Sequence, residues 1–208
     1  MTDTSRSALV RRGLLLNYAT IGYNVVEAVV SVLAGFIAGS VALIAFGLDS
    51  LVEVTSSIAA QWRLRADFDS QRRVRVERAA LRTIGASFLV LAAYVFVGSV
   101  MALYQKDTPE KSPMGVGILT LSVIVMPWLA KQRRQVAVQL GSRALEADAR
   151  QTSLCAYLSM IALAGVGLTA VFGLWWADSI AALAMVPIIA IEGLEGVRGE
   201  DACGDDCN

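Results

Sequence analysis

Six long apolar segments divide this sequence, and polar or glycine-containing stretches separate them. The hydrocarbon core of a bilayer is about 30 Å thick, so an α-helix needs about 20 apolar residues to cross it. Each segment is close to that length and predicts one membrane-spanning helix. The predicted spans are 14–37, 41–62, 81–103, 114–130, 143–172 and 175–194. The pattern therefore predicts an all-α integral membrane protein with six transmembrane helices.

The distribution of positive charge predicts how these helices are oriented. In a six-span arrangement 16 of the 18 Lys and Arg residues fall on one side of the membrane, and only Lys106 and Lys111 fall on the other. Cytoplasmic connections of membrane proteins carry the excess of Lys and Arg, so both termini are expected to be cytoplasmic. The protein itself is expected in the inner or plasma membrane of the cell. We therefore expect a cytoplasmic segment 1–12, a transmembrane domain 13–195 and a short acidic tail 196–208.

Two carboxylates interrupt the second predicted span. Asp49 and Glu53 are four residues apart, so on an α-helix they share one face, and Ser57 continues that stripe. A charge at the centre of a membrane helix costs about 2.5–3.5 kcal/mol on insertion scales, which favours a cation or protons bound between the two groups. No Lys or Arg falls near the middle of a predicted span, so a structural ion pair is not expected.

Composition narrows the chemistry of such a site. The chain is 56% hydrophobic, with a mean hydropathy of +0.59, which is too apolar for an ordinary soluble domain. It contains no His, which excludes imidazole as a metal ligand or proton carrier. Its three Cys have no regular spacing and do not indicate a disulfide framework.

An internal repeat links the second span to the fifth. With an offset of 102 residues, the pattern Gly-Ser-x-Ala-Leu-x-Ala at 39–45 returns at 141–147. Two spans lie between the repeated helices, which therefore run antiparallel, and repeats that meet at a mid-membrane site are a feature of secondary transporters. The offset also pairs the polar positions: Asp49 with Gln151, and Glu53 with Cys155.

These motifs resemble the transmembrane domain of the cation diffusion facilitator family over nearly all of residues 10–198. The resemblance is carried by Gly39-Ser40-x-Ala42-Leu43-x-Ala45-x-Gly47-x-Asp49-Ser50-x-x-Glu53, Ala147-Asp148-Ala149-x-Gln151-x-x-x-Cys155-x-x-x-Ser159, Trp176-Ala-Asp178-Ser-Ile-Ala-Ala-Leu183 and Asn24-x-x-Glu27. It implies export of a divalent metal against protons, usually by a homodimer. The metal would be the transported substrate, and no cofactor is implied.

The chain departs from the family pattern in ways that affect the metal. The second helix of members usually has His or Asp followed by Asp, where this chain has Asp49 and Glu53; the fifth has His and Asp, where this chain has Gln151 and Cys155. Members usually carry a cytoplasmic C-terminal metal-binding domain, and we expect this chain to lack one. A dimer would then be held through membrane helices alone.

Two carboxylates, an amide oxygen and a thiolate would make a four-coordinate metal site of Asp49, Glu53, Gln151 and Cys155. Such a ligand set suits Zn²⁺, with Cd²⁺, Co²⁺ or Fe²⁺ as alternatives, and disfavours the all-oxygen ions Mg²⁺ and Ca²⁺. Gln151 could instead be a hydrogen-bonding residue between helices, and Cys155 a small packing residue.

Other polar residues are candidates for accessory roles. Glu27, Asp148 and Asp178 could carry coupling protons, although the two aspartates also suit helix starts, where an acid complements the helix dipole. Cys203 and Cys207 could collect metal in the acidic tail, or the tail could simply be solvated.

The expected partners are a divalent metal, protons, the lipid bilayer and a second copy of the chain, and no nucleic acid. Two other classes of function stay open at this point. One is a non-transporting metal sensor or partner subunit, and the other is a metal-dependent enzyme embedded in the membrane. An enzyme acting on a lipid would need phosphate-binding groups, and the sequence has no Gly-rich phosphate loop.

Overall fold

The computed structural model describes residues 3–65, 70–140 and 143–198. These residues form six α-helices and no strand: α1 (Asp3–Ala38), α2 (Val41–Arg65), α3 (Ser70–Gln105), α4 (Pro113–Leu140), α5 (Arg143–Phe172) and α6 (Ala177–Arg198). Each helix contains a segment long and apolar enough to cross a membrane. The predicted all-α fold with six transmembrane helices is confirmed.

A glycine turn joins α1 to α2 and sets their antiparallel packing. Gly39 has a φ of 65°, in the left-handed region that glycine adopts without steric cost. The amide of Ser40 donates to the carbonyl of Gly35 at 2.9 Å, as in a Schellman motif that ends a helix. Farther along α2, a Cβ on Gly47 would lie 2.9 Å from the backbone nitrogen of Val32, so α1 and α2 pack almost backbone to backbone.

Helix α2 is central in the bundle, since it contacts α1, α3, α5 and α6. The other large contacts join α3 to α6, α4 to α5 and α1 to α4. Large side chains such as Phe46, Leu119 and Met185 fill the interior, whereas Phe36 and Val171 are among many apolar residues exposed on the outside. An apolar exterior is expected of a bundle whose surroundings are lipid, and α2 carries its polar residues inside that bundle.

Helix α4 is longer than the sequence predicted, and this corrects an expectation about charge. The predicted span ended at residue 130, but the helix continues to Leu140 and brings Arg133 into the interior, where it is 4% exposed. Val136 and Ala137, three and four residues farther on, are buried on the same face. Nη1 of Arg133 lies 3.8 Å from Oε1 of Glu53, so the expectation that the carboxylate pair has no Arg or Lys as an ion-pair partner is wrong.

Candidate functional site

Asp49 and Glu53 lie one turn apart on the inner face of α2, and both are almost fully buried, at 5% and 1% exposure. The thiol of Cys155, on α5, is buried and near both carboxyl groups. Because α2 and α5 are antiparallel and in contact, the pairs with i, i+4 spacing on the two helices face each other. Sequence reasoning thus placed these three side chains correctly in one part of the bundle.

A small cavity of about 10 Å³ opens beside this pair. Two further polar residues, Gln151 on α5 and Glu192 on α6, line it together with Asp49 and Glu53. The rest of the wall is apolar and consists of Phe88, Leu154, Leu158, Ile188 and Ile189. The cavity is therefore an apolar space with three carboxylates and one amide on its wall, an arrangement suited to a cation.

The two oxygens of Glu53 have different surroundings. Oε1 accepts a hydrogen bond from the hydroxyl of Thr152 at 2.7 Å and lies 3.8 Å from Nη1 of Arg133. Oε2 is buried and has no hydrogen-bond partner within the described part of the chain. An unpaired buried oxygen is costly, so it marks a position where a ligand would be stabilising.

Arg133 joins four helices around Glu53. Its Nη1 donates to the hydroxyl of Thr152 at 2.8 Å, and its Nη2 donates to Oδ1 of Asn17 at 2.9 Å and to the hydroxyl of Ser57 at 3.4 Å. These partners come from α5, α1 and α2 respectively, while Arg133 itself belongs to α4. One carboxylate of the pair is thus compensated by a buried cation.

Gln151 lies on the cavity wall, but its oxygen is already engaged. The hydroxyl of Ser56 donates to Oε1 of Gln151 in a short hydrogen bond. Among the described residues, no three His, Cys, Asp or Glu side chains converge closely enough to form a metal site as they stand. Asp49, Glu53 and Cys155 would therefore bind a metal only if their side chains moved closer to one another. Gln151 would have to release the hydroxyl of Ser56 before it could join them.

A second buried polar group lies on α1, next to the first. Glu27 is fully buried, and its Oε2 accepts a hydrogen bond at 2.8 Å from the hydroxyl of Ser50. Ser50 directly follows Asp49 in α2. Its Oε1, both amide atoms of Asn24 and the hydroxyl of Tyr23 have no hydrogen-bond partner among the described residues. Glu27 therefore contacts the same stretch of α2 as the site, which is the placement expected of an accessory acid.

Asp178 is engaged in a structural contact at the other end of α2. Its Oδ1 accepts a hydrogen bond from the Ser40 hydroxyl at 2.5 Å, and its Oδ2 accepts one from the Val41 amide at 2.9 Å. An acid at this position satisfies amides that have no partner within the helix and complements the helix dipole. Asp178 thus caps α2 from α6, and the structure places it away from the cavity wall.

We expect Asp178→Ala to destabilise the bundle by about 1–3 kcal/mol, because the α2 amides and the Ser40 hydroxyl would lose a buried partner. Asp178→Asn should destabilise it less, since one acceptor oxygen remains. Thermal unfolding of purified protein in detergent measures this, with Asp107→Ala, at an exposed loop residue, as the matched control. An unchanged melting temperature for Asp178→Ala would contradict the capping role.

The side chains of the three remaining candidate residues lie outside the described part of the structure. Asp148 belongs to the first turns of α5, but its side chain lies outside the described part. Cys203 and Cys207 also lie outside the described residues.

Sequence reasoning missed three residues that touch the site. Arg133 follows the apolar run of α4 and was assigned to a connection, Thr152 stands beside Gln151 without a charge, and Glu192 lies near the end of α6. A helical projection of α4 past residue 130 would have found Arg133, since Val136 and Ala137 continue its buried face. The other two have no comparable signal, because their roles depend on which helices are neighbours.

The sequence profile of the cation efflux transmembrane domain matches residues 18–198. This chain belongs to the cation efflux family. The match covers nearly the whole described bundle and includes Asp49, Glu53, Gln151 and Cys155. The buried polar site therefore lies within the domain that defines the family.

The chain is also similar to a curated protein. The chain is 24% identical over 173 residues to an uncharacterized transporter of Methanocaldococcus jannaschii. The alignment covers 80% of this chain and 61% of the relative, so the chain spans about three fifths of the length of the curated relative that it matches. The name of that relative describes it as a transporter and gives no substrate.

Proposed function

We propose that this chain exports a divalent transition-metal cation, in the first place Zn²⁺, from the cytoplasm in exchange for protons. Cd²⁺, Co²⁺ and Fe²⁺ are the alternatives that the same ligands admit. The observation that carries the proposal is the buried pair Asp49 and Glu53, which borders a cavity inside a membrane-spanning bundle. Membership in the cation efflux family supports a metal cation as the substrate.

The four proposed ligands have separate roles. Asp49 and Glu53 supply negative charge, and the unpaired Oε2 of Glu53 is the acceptor most ready for a metal. The buried thiol of Cys155 supplies a soft ligand, which suits Zn²⁺ and Cd²⁺ better than Mg²⁺. Gln151 contributes an amide oxygen once Ser56 releases it.

Protons would compete with the metal for these ligands. Carboxylates and thiols bind a metal only in their deprotonated forms, so entry of the metal releases protons and return of protons releases the metal. Glu27 is a further proton carrier in this proposal, because Ser50 connects it to the α2 stretch that bears Asp49. Rocking of the helices around the metal site would open the site to one side of the membrane at a time.

The orientation and assembly also belong to this proposal. The protein would lie in the inner or plasma membrane with both termini in the cytoplasm, and its parts would be a segment 1–12, a transmembrane domain 13–195 and a tail 196–208. Labelling of an N-terminal tag from outside intact cells would contradict this.

The protein would be a homodimer held through membrane helices, whose outer faces carry many exposed apolar side chains. Photobleaching of labelled protein in bilayers counts the subunits, and a single step throughout would argue for a monomer.

We expect purified protein in liposomes to take up Zn²⁺ when a pH gradient is imposed, with protons moving in the opposite direction. A zinc-sensitive dye and a pH-sensitive dye trapped in the same liposomes measure both fluxes, and Asp49→Ala is the inactive control. Zinc binding without flux would instead favour a metal sensor or partner subunit. Flux that continues unchanged in Asp49→Ala would show that the metal passes elsewhere.

A further inference from the structure

Arg133 is a buried cation that lies beside the carboxylates of a site proposed to bind another cation. Its guanidinium is 3.8 Å from Glu53, and both side chains are almost fully buried. Two cations near one carboxylate repel each other strongly in such a poorly solvated place. The undisturbed pair of Arg133 and Glu53 and a bound divalent metal are therefore unfavourable together.

The contact between Arg133 and Glu53 is one that a competing cation can break. At 3.8 Å the two charged groups are too far apart for a direct hydrogen bond. The hydroxyl of Thr152 bridges them, accepting from Nη1 at 2.8 Å and donating to Oε1 of Glu53 at 2.7 Å. A forked guanidinium–carboxylate contact would be stronger and harder to separate.

Arg133 also has partners that do not depend on Glu53. Its Nη2 donates to Asn17 at 2.9 Å and to Ser57 at 3.4 Å, so the guanidinium retains hydrogen bonds when Glu53 turns toward a metal. Glu53 in turn has one buried oxygen without a partner among the described residues. Arg133 thus has hydrogen bonds that do not need Glu53, and Glu53 has an oxygen that Arg133 does not pair. This is expected of two groups that separate during function.

We propose that Arg133 is the resting counter-ion of the metal site: it neutralises Glu53 while the site is empty and competes with the metal for that carboxylate. This inference rests on the proposed function and deepens it by assigning Arg133 as a positioning residue. A divalent ion brings enough charge to replace the guanidinium beside Glu53, whereas a monovalent ion brings less. Arg133 would therefore favour divalent over monovalent substrates.

The test is the zinc affinity of the purified full chain, measured by competition with a zinc-binding dye. All variants carry Cys203→Ser and Cys207→Ser, so that the tail thiols do not contribute. Arg133→Gln removes the charge that competes with Zn²⁺ for Glu53, so it should lower the Kd for Zn²⁺ by about tenfold or more. A tenfold change corresponds to about 1.4 kcal/mol of binding free energy. Arg133→Lys keeps the charge and should bind as the parent does. Arg134→Gln, at the exposed neighbouring arginine, is the matched control and should also leave the Kd unchanged.

A merely structural ion pair makes the opposite prediction, because loss of Arg133 would then leave the affinity unchanged or weaken it. Either result, or equal tightening by Arg133→Lys, would overturn the inference while leaving the proposed function intact. If Arg133→Gln folds poorly, Zn²⁺ should raise its melting temperature more than that of the parent, since the metal replaces the missing charge. Failure to fold even with Zn²⁺ would also overturn the inference. Absence of zinc binding by the parent would remove the proposed function and this inference together.

Discussion

Glu53→Ala is expected to abolish metal transport, with a fall in the initial uptake rate of about two orders of magnitude or more. The substitution removes a metal ligand and a proton-binding group at once, and even the loss of a group that only supports a ligand typically costs about 10–100-fold. It also leaves Arg133 without its carboxylate, so the bundle should lose stability as well. The measurement is the initial rate of Zn²⁺ uptake into liposomes with an imposed pH gradient.

Loss of transport and loss of folding are separated by a second variant. Glu53→Gln also leaves Arg133 without a carboxylate, but it keeps the shape of the side chain and an acceptor for Thr152, so it should destabilise the bundle less than Glu53→Ala. It should nevertheless transport as poorly as Glu53→Ala. Glu110→Ala, at an exposed acid outside the helices, is the matched control and should transport normally. If Glu53→Ala and Asp49→Ala both transported at the parent rate, the proposed site would be wrong as a whole.

Substitution of Cys155 is expected to change which metal is preferred. Cys155→Asp puts the more usual acid of the family at this position, and a hard oxygen then replaces a soft sulfur. It should retain Zn²⁺ transport but lower the ratio of Cd²⁺ to Zn²⁺ transport by about tenfold, which corresponds to about 1.4 kcal/mol. Cys155→Ser should weaken the apparent affinity for both metals without unfolding the protein, since the two side chains have similar volumes. Initial uptake rates against the concentration of each metal measure both effects.

Cys155→Ala tests the packing alternative at the same position. A buried cysteine that only fills space should tolerate alanine with little effect on either metal. Unchanged kinetics for Zn²⁺ and Cd²⁺ would therefore exclude Cys155 from the site, while the carboxylate pair could still bind the metal.

The sequence predicted the helices well because a membrane makes their signal strong. A run of about 20 apolar residues is rare outside membrane-spanning helices, so the six spans followed directly. The i, i+4 spacing of Asp49 and Glu53, together with the repeat, also predicted correctly that Cys155 faces α2. These inferences needed only the period of the helix and the direction of each span.

The contacts of Arg133 could not be predicted in the same way. The apolar run of α4 ends near residue 130, and hydropathy alone assigns an arginine beyond it to a connection. Its burial depends on Asn17, Thr152 and Ser57, which come from three other helices and surround it with hydrogen-bond acceptors. The capping of α2 by Asp178 likewise joins residues more than a hundred positions apart. Such contacts depend on the packing of distant helices, which no local pattern specifies.

X-ray absorption spectroscopy of the zinc-loaded chain, with Cys203 and Cys207 replaced by serine, tests the proposed four-ligand site by direct observation of the metal. We expect one sulfur ligand at about 2.3 Å and oxygen ligands at about 2.0–2.2 Å. The sulfur signal should disappear in the additional variant Cys155→Ser, while the oxygen ligands from Asp49, Glu53 and Gln151 remain. A zinc shell without sulfur in the parent, or a spectrum that Cys155→Ser and Glu53→Gln both leave unchanged, would contradict the proposed site.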